Sequence, residues 1–259
     1  PTAQIFVTMS STLITGSSSQ VTDTKISDVI SPVAVIDTPI SKSTALLRPS
    51  LILGLLALRF NSLVADPVPA LQLALPAVLL IQTLYAIICL PVVGSQSAKV
   101  ARKPRPGEKK KADPNGSNTV STAILAILLS AIATPAVYIL FVLFGAPFLD
   151  HVEHTLLCSA HFSLLALFPI FYSRGVKAET LVAVAGASAP LDETFGGLVG
   201  AVAGAWLGAV PIPLDWDREW QKWPVTIVVG MFAGSLLCSS VSGTLLFGKR
   251  LSSNEEKNE

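Results

Sequence analysis

The chain has 259 residues, of which 51% are hydrophobic and 14% charged, with a formal net charge of +1 and a mean hydropathy of +0.62. So few charges cannot cover the surface of a soluble domain, in which roughly 25% of residues are charged. The same figures exclude a disordered chain, a coiled coil and a nucleic-acid binder with a basic surface.

Residues 1–43 are rich in Ser and Thr and contain no run of the roughly 20 apolar residues that a membrane span needs. They read as a mostly disordered tail. No basic segment precedes Ile5–Ile14, so a signal peptide is not expected. A membrane domain is expected over 44–248. Its apolar stretches run from Leu46 to Val64, Val68 to Val93, Val120 to Phe144, Val152 to Tyr172, Phe195 to Val210 and Val225 to Phe247. None alternates polar and apolar residues as a membrane barrel strand does. Internal Pro76, Pro91 and Pro135 are tolerable where neighbouring helices satisfy the freed carbonyls. Cys89, Cys158 and Cys238 lie far apart in apolar runs and read as small buried hydrophobes rather than a disulfide or zinc set.

Between the second and third stretches, residues 94–118 carry Lys99, Arg102, Lys103, Arg105, Lys109, Lys110 and Lys111 against Glu108 and Asp113. The positive-inside rule places this loop in the cytosol. Six spans then put Arg174, Lys177 and a polar tail at 249–259 on the same side, and a loop over 211–224 on the other. The expected fold is therefore all-α: a polytopic six-helix transmembrane bundle with both termini cytosolic.

Gly196, Gly200, Gly204 and Gly208 recur every four residues in the fifth stretch. On a helix they form a stripe that permits close backbone approach to another helix, in this chain or in a partner. The stripe runs into Pro211-Ile-Pro-Leu-Asp-Trp-Asp-Arg-Glu-Trp-Gln-Lys-Trp-Pro224, which holds three of the four tryptophans; the fourth is Trp206. Tryptophan suits a membrane boundary. The acid–base–acid order from Asp215 to Glu219 brings no nucleophile or metal set with it, so a rigid lumen-facing docking or packing element is expected rather than a catalytic site. His151, His154, Cys158 and His161 share a helix face, but their spacing fits no metalloprotease pattern, and a helix-start cap is the preferred reading. Arg59 and His161 are ionisable groups within spans, where a functional role is the default expectation.

The segment from Gly204 to Pro224, with Trp206, Gly208, Pro211, Pro213, Asp215, Trp216, Asp217, Arg218, Trp220 and Trp223, resembles the signature of the PIG-F family. Those are endoplasmic-reticulum membrane proteins of glycosylphosphatidylinositol (GPI) anchor synthesis. Phe141-Val-Leu-Phe-Gly-Ala-Pro147, containing Gly145 and Pro147, resembles a second family element. The likeness in residues covers about 139–248. It implies a non-catalytic, multi-pass subunit without cofactor or metal. Its implied partners are PIG-O-type and PIG-G-type ethanolamine-phosphate transferases and membrane lipids, not nucleic acid. Two alternatives from other classes are a lipid carrier or scramblase, and a membrane-embedded transferase using Asp215, Asp217 and Glu219 or the histidine cluster.

Overall fold

The computed structural model describes residues 30–95 and 118–251. Among these residues the secondary structure is helical, and the one β-bridge, Pro190 with Arg250, is isolated. The helices are α1 (Pro39–Ala65), α2 (Pro67–Cys89), α3 (Thr119–Leu143), α4 (Val152–Phe162), α5 (Phe168–Arg174), α6 (Ala178–Ala185), α7 (Glu193–Ala209) and α8 (Val225–Thr244). A π-helical turn, Ser163–Leu167, joins α4 to α5. Among the described residues five segments are long and apolar enough to cross a membrane: α1, α2, α3, Val152–Arg174 and α8. The expected fifth span, α7, is shorter at 17 residues, about 25 Å of helix. Asp192 caps its start, and Pro211 follows close behind its end.

The first helix begins at Pro39, seven residues before the apolar stretch. Thr38 caps it by accepting from the Ser41 N–H at 3.1 Å, and proline at the first helical position needs no hydrogen-bond partner there. Residues 30–38 are also packed rather than tail-like: Val33 is buried, and the Ile36 N–H donates to the Cys89 carbonyl at 2.8 Å. Residues 1–29, 96–117 and 252–259 lie outside the described residues, so most of the basic loop does too. Asp66 serves two helices. Its backbone ends α1 and its carboxylate caps α2, accepting from Val68 at 3.2 Å, while Pro67 disfavours continuation of α1.

Val152–Arg174 is the axis of the bundle. Its most apolar window is 72% buried, against 11% for α1 and 22% for α3. Within it the π turn meets Pro169, which has no N–H to give to the carbonyls behind it. Gln82 on α2 supplies the missing donor: its Nε2 reaches the Leu164 and Leu165 carbonyls at 3.3 and 3.4 Å.

The glycine stripe resolves the question of its neighbour. It faces α8 of the same chain, antiparallel to α7. A Cβ at Gly204 would stand 2.0 Å from the Gly230 carbonyl oxygen, one at Gly200 2.1 Å from that of Gly234, and one at Gly208 2.3 Å from that of Thr226. A Cβ at Gly196 would meet Ser242 Oγ at 2.2 Å. Gly230 and Gly234 return the contact from α8. The two backbones touch, so bulk on the stripe acts first on the fold of this chain. Gly197, one position off the stripe, would place a Cβ no nearer than 3.6 Å to anything.

Gly204→Ala is therefore expected to destabilise the purified protein by about 1–3 kcal/mol, the usual cost of overpacking. Gly197→Ala should change it by no more than about 0.5 kcal/mol. Thermal unfolding in mild detergent compares the two, and equal melting temperatures would refute the assigned packing.

Candidate functional site

The segment from Pro211 to Pro224 is short on regular structure but well pinned. Gln221, buried within its single 3-10 turn (Glu219–Gln221), donates through Nε2 to the Pro211 and Leu214 carbonyls at 2.7 and 2.8 Å. Its Oε1 accepts from the Arg218 N–H at 2.9 Å. One side chain thus closes the loop on itself. The Trp223 indole N–H donates to Thr155 Oγ1 at 3.1 Å, and Thr155 Oγ1 lies 3.3 Å from the Pro147 carbonyl. This brings the 141–147 element and the tryptophan loop together. Lys222 Nζ reaches the Ala65 carbonyl at 3.4 Å and Glu219 at 3.3 Å, tying the loop to the α1–α2 turn. Trp220 and Trp223 pack against the main core. The Trp223–Pro224 peptide is cis.

The sequence-derived residues divide into two groups. Gly196, Gly200, Gly204 and Gly208 are buried between α7 and α8. Trp220, Trp223 and Pro224 anchor the loop inward, and Pro211 receives Gln221. Outward stand Pro213, Asp215, Asp217 and Arg218, all exposed. Trp216 is 53% exposed, with its ring 5.9 Å from that of Trp220, and Trp206 is 66% exposed. Asp217 has φ +47°, a left-handed conformation that aspartate tolerates better than most residues. Gly145 turns the chain after α3 with φ +100°, which favours glycine. The histidines do not converge. His151 and His154 stack edge to face at 4.8 Å, whereas His161 is buried, donating from Nδ1 to the Leu157 carbonyl at 2.9 Å. Arg59 is exposed. Among the described residues no three His, Cys, Asp or Glu side chains are placed to hold a metal.

Sequence reasoning missed the polar cluster at the opposite end. Asp192 is fully buried and saturated. Its Oδ1 accepts from Thr194 N, Thr194 Oγ1 and Phe195 N at 2.9, 2.7 and 3.0 Å. Its Oδ2 accepts from Val33 N at 2.8 Å and pairs with the buried Arg174 guanidinium. Beside it, Arg48 stacks 4.0 Å over the Tyr85 ring, and the Tyr85 hydroxyl donates to Glu193. Ser239 Oγ donates to the Glu193 carbonyl at 2.8 Å. The legible signal was Asp192-Glu-Thr before Phe195, a helix-start pattern. Arg48 in an apolar stretch was another.

The model of the GPI biosynthesis protein family Pig-F matches residues 47–243, extending through the first half of the chain. The chain is 54% identical over 219 residues to the glycosylphosphatidylinositol anchor biosynthesis protein 11 of Neurospora crassa, covering 85% of this chain and 80% of that one. The protein of that name from Pyricularia oryzae is 54% identical over 199 residues, 76% and 75% of the two chains. That from Aspergillus fumigatus is 34% identical over 264 residues, 88% of each. No solved structure matches.

Two substitutions probe the two ends. Gln221→Ala removes three hydrogen bonds worth about 1 kcal/mol each, so amide exchange over 211–221 should quicken by tenfold or more, by about the equivalent of two of them; unchanged exchange would contradict the pinning. Asp192→Ala strands Arg174 without its counter-charge and should cost about 3–5 kcal/mol, read as loss of the folded, monodisperse protein on size exclusion.

Proposed function

The chain belongs to the PIG-F family of GPI biosynthesis proteins, and we propose that it is the non-catalytic stabilising subunit of the endoplasmic-reticulum ethanolamine-phosphate transferases. Those enzymes add phosphoethanolamine to mannoses of the GPI-anchor precursor, and the partners are their PIG-O-type and PIG-G-type catalytic subunits. In this reading α7, packed on α8, completes a six-span bundle in the endoplasmic-reticulum membrane. Both termini and the basic segment are cytosolic, and the tryptophan loop is lumenal.

The observation that carries the reading is the loop's division of labour. Gln221, Trp220 and Trp223 hold it rigid from within, while Trp216, Asp215 and Asp217 stand exposed on its rim. Neither Asp215 nor Asp217 has an ion-pair partner among the described residues. Preorganised loops lose little entropy on docking, and exposed tryptophans dominate many interfaces. Trp206 extends the same rim along the outer face of α7.

Affinity purification in mild detergent tests this. The wild-type chain should bring down a large transferase subunit. Trp216→Ala combined with Asp217→Lys should lower its recovery at least about tenfold, with the abundance of the chain itself unchanged. A chain that purifies alone, or a double variant with full recovery, would overturn the proposal.

A further inference from the structure

Arg48 stands within α1, about 13 Å along the helix axis from Pro39, and is 4% exposed. It makes no ion pair among the described residues, and its buried Nε has no hydrogen-bond partner there. Its guanidinium lies instead over the Tyr85 ring, 4.0 Å from the centroid. An arginine buried in a membrane bundle needs a counter-charge. Two acids of this end are already taken: Asp192 pairs with Arg174, and the exposed Asp37 with Lys42. Glu179 is exposed on α6. Glu193 is different. It forms no ion pair among the described residues, and its carboxylate accepts from the hydroxyl of that same Tyr85. Its stem is packed against α8, where a Cβ at Gly243 would stand 2.3 Å from Glu193 Cγ. One unpaired cation and one unpaired anion thus meet on a single phenol.

We propose that Arg48, Tyr85 and Glu193 form a charge latch that docks α1 onto the head of α7, with Glu193 as the counter-charge of Arg48 across the tyrosine. The phenol suits this place because its two contacts reinforce each other. A hydroxyl that donates to a carboxylate leaves the ring richer in electrons, and a richer face attracts a guanidinium more strongly. The latch matters most for α1, the least buried of the five long segments at 11%. The buried residues of α1 are Ser41, Arg48, Ile52 and Leu63. Ser41 holds α1 to α2, donating to the Ile88 carbonyl. Arg48 acts beyond α2, through Tyr85, on the α7–α8 pair. The Val33 N–H ties the segment before α1 to Asp192, so the N-terminal limb meets α7 at two adjacent acids. The latch goes beyond the subunit role and does not depend on it, since it concerns this chain alone.

A charge couple differs from ordinary packing in one respect: removing both charges costs less than removing either. Amide exchange over residues 39–50 of the purified full chain in mild detergent reads this. Glu193→Gln keeps an acceptor for Tyr85, and Arg48→Met keeps an apolar stem. Each should quicken exchange about tenfold or more. The double variant should return to within about threefold of the wild type. Asp192→Asn combined with Arg48→Met should show no such return, because Asp192 serves Arg174. Where a single variant yields no folded protein, the double variant should recover monodisperse protein on size exclusion. Unchanged exchange in Glu193→Gln would overturn the proposal, as would losses that simply add in the double variant, or a double variant that stays unfolded. Rescue of Arg48→Met by Asp192→Asn would place the counter-charge elsewhere and overturn it too.

Discussion

Everything at one side of this bundle depends on the backbone contact between α7 and α8. Helices ordinarily pack with 8–10 Å between their axes because side chains hold them apart. Here carbonyl oxygens of one helix occupy the space that a Cβ of the other would need. In a membrane, where lipid is as apolar as leucine, such close van der Waals contact is what drives association. The contact also sets the position of both helix ends. At one end it places Asp192 and Glu193 beside Ser239 and Gly243. At the other it fixes the two points between which the tryptophan loop must run.

The two ends of the pair are finished in opposite ways. The Asp192 end is charged and buried: carboxylate, guanidinium, phenol and backbone amides meet inside the protein, with Arg174 Nε and Nη1 left unpartnered among the described residues. Such an arrangement is expensive to break but offers little for a partner to engage. The tryptophan end is neutral inside and charged outside. Its internal bonds are made by an amide side chain and carbonyls, leaving Asp215, Asp217 and Trp216 to face outward. A single helix pair thus has an end with its charges buried and an end with its charges presented.

Much of this was legible in the sequence, for identifiable reasons. Long apolar runs mark where helices form, and the four-residue glycine period announces a backbone contact. The period could not say which helix would be the neighbour, because that depends on α8 presenting Gly230 and Gly234 in the matching register. Gln221 was overlooked because a lone glutamine among tryptophans and acids carries no pattern; its importance appears only when the loop folds and three backbone groups converge on its amide. The start of α1 at Pro39 precedes the expected Leu46 because Ser41, Ser43 and Thr44 look like tail residues in composition. In the fold, Ser41 is buried and donates from Oγ to the Ile88 carbonyl at 2.7 Å.

The π turn at Ser163–Leu167 has a consequence for how this lineage of sequences can change length. A π turn amounts to one extra residue accommodated within an α-helix. Removing one residue there would restore regular winding and leave the helix beyond it, with Arg174 opposite Asp192, close to its present orientation. It would also remove the widened turn whose Leu164 and Leu165 carbonyls Gln82 meets. A deletion elsewhere in the central helix would instead rotate everything beyond it by about 100° and swing Arg174 away from Asp192, so single-residue length changes should fall at this turn or in the connecting segments.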